Sequence, residues 1–379
     1  MSVIVAFFIV SISVIAILYK TYVGYGEYRW FTKLALILFL FLSAFGPLIG
    51  YKFRDYEWYG KVPYLNQIIY FLFGFLFFLF VLTMIRDILW MIIDFIRRAP
   101  VDNMKNPVLL QKLNIITLIC CFLFCLYGVY EAEKDARFVT YEIISPKIKK
   151  ETKLIMMTDL HIDKNTSLSY VKHLVDRVNA ENPDVIVLVG DIADNLPAKL
   201  YGQIEVLKNL KAKDNVYFSL GNHEFYNDAL GWGIALGRIG FQFLHNYGMN
   251  VGKTGIYIAG IPDINSAEYT KMKVNVGNAL YLAKPEDYVI MLSHTPKIAE
   301  GITKDNVDLQ LSGHTHGGQI YPFHYLAKQA NDNHLAGFYD VDGVKLYVSR
   351  GTRYWGPPMR IFAPSEITIF NFKPEQSHQ

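Results

Sequence analysis

Four long stretches without a charge fill the first third of the chain, and they constrain its fold more than anything else in it. Met1–Tyr19 has no charged residue, Leu34–Tyr51 none for 18 residues, Val62–Ile85 none for 24 and Leu113–Tyr130 none for 18. Crossing a bilayer takes about 17–25 mostly apolar residues, so all four runs are long enough. A core helix of a soluble protein is apolar along one stripe, whereas these are apolar on every face and follow one another. A signal peptide opens on basic residues and closes on small ones. Met1–Tyr19 has no basic residue ahead of its apolar stretch and ends Ile17-Leu18-Tyr19-Lys20, so it reads as a retained helix. Beyond the third run, Arg86, Asp87, Asp94, Arg97 and Arg98 punctuate Ile88–Ile96, the pattern of a continuation along the interface. Tyr19, Tyr22, Tyr25, Tyr28 and Trp30 crowd the first loop and Tyr51, Tyr56, Trp58, Tyr59 and Tyr64 the second, as rings with a polar tip do at a water–lipid boundary.

Composition agrees. Apolar residues make up 52% and charged ones 19% of the chain, against roughly 45–50% and about 25% in soluble proteins. Residues 1–135 hold 12 Lys/Arg and 9 Asp/Glu, and the remainder holds 25 of each. With no clustered basic excess, no nucleic-acid partner is expected. The three cysteines, Cys120, Cys121 and Cys125, all fall in the fourth run. That excludes a disulfide scaffold and reads as small apolar packing.

From about Phe138 the pattern changes to short β-rich runs alternating with helical ones. Leu154–Thr158, Val185–Val189, Val216–Leu220, Gly255–Ala259, Tyr288–Leu292 and Asp308–Leu311 read as strands. Leu168, Val171, Leu174, Val175 and Val178 mark a helix stopped by Pro183, and Leu200, Ile204, Leu207 and Leu210 mark another. Leu346–Ser349 and Glu366–Phe370 read as terminal hairpins, and the charged stretch Glu131–Thr152 as the join. The expected division is a transmembrane region over 1–137 and a folded α/β domain over 138–379.

Polar clusters sit just beyond the strands: Asp159-x-His161, Gly190-Asp191, Gly221-Asn222-His223-Glu224, Ser293-His294 and Gly313-His314-Thr315-His316. Functional groups of α/β sheets collect there. Imidazole with carboxylate is the donor set of Zn, Mn and Fe. A strand period of two predicts that Asp-x-His and His-x-His each present both side chains to one side. The glycines beside Asp191, Asn222 and His314 allow close backbone approach.

This ordered set resembles the signature of the calcineurin-like metallophosphoesterases over about residues 152–372. Ser293-His294-Thr295-Pro296, Gly313–Ile320 and Ser349–Ile367 resemble the bacterial YkuE/YaeI-like phosphodiesterase branch. The resemblance implies an α/β fold, a four-layer α/β/β/α sandwich with two divalent metals (Mn, Zn or Fe) at one edge. It implies that Asp159, His161, Asp191 and His316 hold the first metal and that Asp191, Asn222, His294 and His314 hold the second. Asp191 is then the bridge, and His223 is a catalytic residue that touches the phosphate or the leaving group. Two such ions clamp the attacking and leaving oxygens and acidify a bridging water. Glu224 stands where many relatives have Asp. Asp163 is a candidate to orient a histidine, or a loop cap. Arg350, Arg353 and Arg360 are candidates to meet phosphate, or surface arginines. His173, His245, His324, His334 and His378 match no motif.

The implied activity is hydrolysis of a phosphoester or pyrophosphate; four spans that keep the site near the bilayer make a phospholipid or glycolipid a natural substrate, with nucleotides and wall-polymer phosphodiesters left open. The alternative is a sensor or scaffold that keeps a metal site without catalysis. Lys/Arg near the span ends number eight on each side, so the positive-inside count balances. The first helix tips it, with no basic residue before it and Lys20, Arg29 and Lys33 after it. The expected location is a bacterial inner membrane with the catalytic domain extracytoplasmic.

Overall fold

The computed structural model describes residues 3–24, 28–53, 56, 62, 64–98 and 106–375. Tyr25, Arg54, Trp58, Tyr59, Lys61, Lys105 and His378 lie outside the described residues. The chain divides into two compact units, Met1–Glu133 with Gly356–Met359, and Lys134–Trp355 with Arg360–Gln379.

In the first unit the four apolar runs become four helices, α1 (Val3–Tyr19), α2 (Trp30–Phe53), α3 (Leu65–Ile96) and α4 (Pro107–Glu133). All four are long and apolar enough to cross a membrane, yet they bury only 17–33% of their apolar windows. The apolar faces left outward call for lipid as solvent. α3 runs unbroken for 32 residues, so the segment expected along the interface is continuous with the span. A turn of π-helix, Lys20–Gly24, extends α1. Polar links hold the helices here: Arg86 Nη1 donates to Asn114 Oδ1 at 2.6 Å, Asn114 Nδ2 to the Thr21 carbonyl at 2.9 Å, and Tyr22 meets Thr83 at 3.0 Å. Cys121 and Cys125 are buried free thiols.

The second unit holds two six-stranded sheets. In chain order its main elements are β1 (Arg137–Ser145), β2 (Thr152–Met157), α5 (Leu168–Ala180), β3 (Val185–Val189), α6 (Tyr201–Leu207), β4 (Val216–Ser219), α7 (Asn222–Asn227), α8 (Ala229–Arg238) and β5 (Gln242–Phe243). These are followed by β6 (Tyr247–Asn250), β7 (Ile256–Gly260), β8 (Tyr288–Leu292), β9 (Leu309–Ser312), β10 (Gly337–Val341), β11 (Val344–Val348) and β12 (Glu366–Pro374). One sheet runs β1-β12-β2-β3-β4-β5 and the other β10-β11-β9-β8-β7-β6.

Continuous apolar strands such as Val185–Val189 arise because both faces of a parallel strand are covered. Ile155, Met157, Ile186 and Leu188 pack on Val171, Leu174, Val175 and Val178 of α5. The alternate residues Leu154, Met156, Val185 and Val187 pack on Ile256, Ile258, Ile290, Leu309 and Leu311 of the other sheet. Outside the second sheet, Tyr257, Ala259, Val289 and Met291 meet short helical turns around Val276 and Ala279. This is the four-layer α/β/β/α arrangement. β2, β3 and β4 run parallel, as do β7, β8 and β9, so their carboxyl ends converge at one edge of each sheet.

Two expectations need correction. The charged stretch Glu131–Thr152 is not merely a join, since it contains β1. As an edge strand with much of its surface in water, β1 tolerates the charges that disguise it. Glu366–Phe370 is not part of a hairpin. β12 crosses to the first sheet, pairing parallel with β1 (Arg137↔Glu366) and antiparallel with β2 (Thr368↔Met156). β11 does form a hairpin with β10.

Candidate functional site

The loops that leave β2, β3, β4, β8 and β9 bring the motif residues into one buried cluster. Asp159, His161 and His316 place donor atoms within 4.8 Å of one another, as do Asp191, His294 and His314. His161 Nε2 lies 3.1 Å from His316 Nε2, and His316 Nε2 3.4 Å from Asp159 Oδ1. Asp191 Oδ2 stands 3.1 Å from His294 Nε2 and 3.8 Å from His161 Nε2, so it touches both groups. Asn222 opens α7 next to them and is buried.

The pleat does not produce the Asp-x-His and His-x-His pairing, contrary to the period-two argument. β2 ends at Met157 and β9 at Ser312, ahead of both pairs. Asp159, His161, Asp191, His314 and His316 instead adopt left-handed φ values of 55°, 43°, 50°, 70° and 51°. Non-glycine residues held there store strain, and such residues collect at functional sites. Close approach does the rest: a Cβ on Gly221 would run into the side chain and backbone nitrogen of Asp191, and one on Gly313 into Thr158 and Asp159.

The cluster fits divalent metal by its hydrogen bonds. His161 Nδ1 donates to Asp194 Oδ1 at 2.8 Å, His294 Nδ1 to the Val189 carbonyl at 2.8 Å and His316 Nδ1 to the Arg353 carbonyl at 3.0 Å. With Nδ1 so occupied, each ring turns an Nε2 lone pair inward, the usual outer support of a metal-binding histidine. His294 Nε2, apart from the Asp191 carboxylate 3.1 Å away, and Asn222 Oδ1 are buried without a hydrogen-bond partner among the described residues. Such orphans are costly unless something else binds them. Burial would raise the Asp191 pKa, but His294, His223 and His161 hold it well below the usual carboxylate range.

His223 has a different setting. Its Nδ1 donates to the same Asp194 Oδ1 at 2.7 Å, and its Nε2 lies 3.8 Å from Asp191 Oδ2. Burial alone would lower its pKa; Asp191 and Asp194 outweigh that and hold it up to about 9.

Asp194 is the residue that sequence reasoning passed over. The signal was there, an aspartate three residues after Asp191 on the same loop. Asp163, considered for that orienting role, instead caps its own loop, accepting from Asn165 N at 3.1 Å and Thr166 Oγ1 at 2.8 Å. Asp194→Asn is expected to lower metal affinity and turnover by roughly 10- to 100-fold. Titration of the metal into purified variant and wild type checks this, and equal affinity with equal turnover would refute it.

Glu224 also has a role its sequence position did not reveal. Its carboxyl accepts from the backbone nitrogens of Gly221 at 2.8 Å, Ala193 at 2.9 Å and Asp191 at 3.1 Å, fastening the β3 loop to α7. Burial and the Asp191 charge push its pKa up to about 8.

The three arginines are committed elsewhere. Arg350 pairs with Glu366 at 2.9 Å. Arg353 donates to Thr166 Oγ1 at 2.6 Å and stacks over Tyr170. Arg360 is fully buried; it donates to carbonyls of His316, Arg350, Arg353 and Ala363, and its Nη2 lies 3.2 Å from His316 Nδ1. The sequence offered them for phosphate because it could not show these local acceptors. His173 pairs with Asp135 and His334 with the Pro296 carbonyl.

A family model described as calcineurin-like phosphoesterase matches residues 152–318. An uncharacterized metallophosphoesterase of Campylobacter jejuni is 30% identical, matched over 91% of this chain and 90% of its own. A Danio rerio transmembrane protein with metallophosphoesterase domain is 33% identical over 67% of this chain and 61% of its own. YkuE, an uncharacterized metallophosphoesterase of Bacillus subtilis, is 30% identical over 58% of this chain and 79% of its own. The four apolar helices make the chain a membrane protein. Its α/β/β/α sandwich, its Asp/His donor clusters and a relative matched over nine-tenths of both chains lead to one assignment: the chain belongs to the calcineurin-like metallophosphoesterases, a family of metal-dependent phosphoesterases.

Proposed function

We propose that the protein is a membrane-anchored, two-metal phosphodiesterase or pyrophosphatase, with residues 1–137 as anchor and 138–379 as catalytic domain. The observation that carries this reading is the pair of Asp/His donor groups meeting at Asp191. In this reading Asp159, His161, Asp191 and His316 hold one ion and Asp191, Asn222, His294 and His314 the other. When bound, divalent ions supply Lewis-acid polarisation of the phosphoryl group and a more acidic attacking water. Asp194 keeps His161 and His223 in one tautomer by accepting from both Nδ1 atoms. That leaves His223 Nε2 to deliver a proton to the departing oxygen. The many imidazoles favour Mn, Zn or Fe over Mg. Anchoring keeps the site within reach of lipid-borne phosphoesters.

A chelator is expected to abolish hydrolysis of a generic aryl phosphodiester by the purified full chain, and Mn²⁺ to restore it at least as well as Mg²⁺. Full activity in excess chelator would overturn the reading. For location, the reading is a bacterial inner membrane with the catalytic domain outside the cytoplasm, because the basic residues Lys20, Arg29 and Lys33 follow α1. A C-terminal fusion to a reporter active only outside the cytoplasm should then be active. Signal solely from a cytoplasm-specific reporter reverses the orientation.

A further inference from the structure

The ligand cluster is buried, and beside His223 stand rings that the fold leaves half in water. Tyr226 lies 5.3 Å and Trp355 5.7 Å from the His223 ring, and Tyr269 meets Tyr226 edge to face at 4.8 Å. Tyr226, Tyr269 and Trp355 are 44%, 49% and 50% exposed, whereas the His223 side chain is 13% exposed.

Their placement is built in. Tyr226 stands four residues after Asn222 and three after His223 on α7, so the three share one helix face. The backbone of Trp355 is held at both ends by one side chain: its N–H donates to Gln319 Oε1 at 2.9 Å, and its carbonyl accepts from Gln319 Nε2 at 2.8 Å. Gln319 is itself buried, with φ 45°, and directly follows the His316–Gly318 turn. One short segment thus positions both the candidate ligand His316 and the indole beside His223. The ring cluster carries no charge, and Arg350 and Arg353 are spent on Glu366 and Thr166. The three rings bring no cation for a second anionic group, and their faces suit a flat apolar one.

We propose that Trp355, Tyr226 and Tyr269 form the subsite for the departing group, and that this group carries a flat ring close to the scissile bond. The assignment rests on the reading above, in which the phosphoryl group sits at the donor clusters and His223 faces the leaving oxygen. It narrows that reading to its phosphodiesterase form, with phosphoesters of aryl- or base-bearing alcohols as substrates and not simple alkyl or pyrophosphate leaving groups.

Non-hydrolysable probes test it on the metal-loaded full chain in detergent. Benzylphosphonate, cyclohexylmethylphosphonate and ethylphosphonate share the anion and differ in the flatness and size of the attached group. Calorimetric titration should show benzylphosphonate binding roughly fivefold tighter than its saturated isostere. Trp355→Ala and Tyr226→Ala should each move that ratio toward one, and Trp355→Phe should keep most of it. Equal affinities for the two ring compounds in the wild type would overturn the proposal, as would a ratio untouched by Trp355→Ala. The wild-type comparison decides even where a variant fails to fold. If no phosphonate binds at all, the two-metal phosphoesterase reading falls and this subsite with it. If all three bind without ring preference, only the subsite falls.

Discussion

Asp191→Asn is expected to strip the protein of metal and activity together. Asp191 Oδ2 is 3.8 Å from His161 Nε2 of one group and 3.1 Å from His294 Nε2 of the other. The carboxylate is buried and its negative charge is favoured by the surrounding imidazoles. An amide has nearly the same shape but no charge and one fewer acceptor oxygen. It cannot serve two cations. Losing several kcal/mol of metal-derived transition-state stabilisation corresponds to roughly a thousandfold drop in kcat/KM. Elemental analysis of the purified variant, with turnover of an aryl phosphodiester, checks both halves. A variant that keeps two ions and its activity would remove Asp191 from the bridge.

His223→Ala is the complementary case, with activity lost and metal retained. The structure ties His223 Nδ1 to Asp194 at 2.7 Å and leaves Nε2 facing the cluster from its solvent side. Losing a positioned proton donor typically lowers turnover by about 10²- to 10⁴-fold. None of the backbone anchors of the other imidazoles, at Val189 and Arg353, passes through His223. The expected metal content therefore matches wild type. A metal-free His223→Ala protein would show that the imidazole holds an ion, and the division of roles would have to be redrawn.

Much of this molecule was legible in the sequence because the informative signals are local. Charge-free runs of bilayer length need no partner to be recognised, and they became α1 to α4. Apolar runs such as Val185–Val189 and Tyr288–Leu292 appear as strands with the expected bounds. The polar clusters after those strands were visible too, since the carboxyl ends of parallel strands must be followed by loops on one side. The missed elements had weak local signals. β1 is a part-exposed edge strand whose charged residues look like a linker. β12 reads locally as any terminal strand, and its partners lie over 200 residues away.

The same division holds at the site. Sequence alone determined the candidate donor chemistry, four imidazoles, two carboxylates and an amide in a fixed order, because side-chain type is written residue by residue. Tertiary structure decided how those donors meet. It put Asp159, His161, Asp191, His314 and His316 into left-handed backbone, which no strand periodicity foretells and which holds only while the surrounding loops enforce it. It gave the orienting role to Asp194 and not Asp163, and it drew Arg350, Arg353 and Arg360 away to acceptors of their own. It also set Trp355 beside His223, residues 132 positions apart in the chain. A hydrogen bond or ring contact depends on distances of a few ångströms between segments far apart in sequence, and only the packed sheets bring those segments within reach.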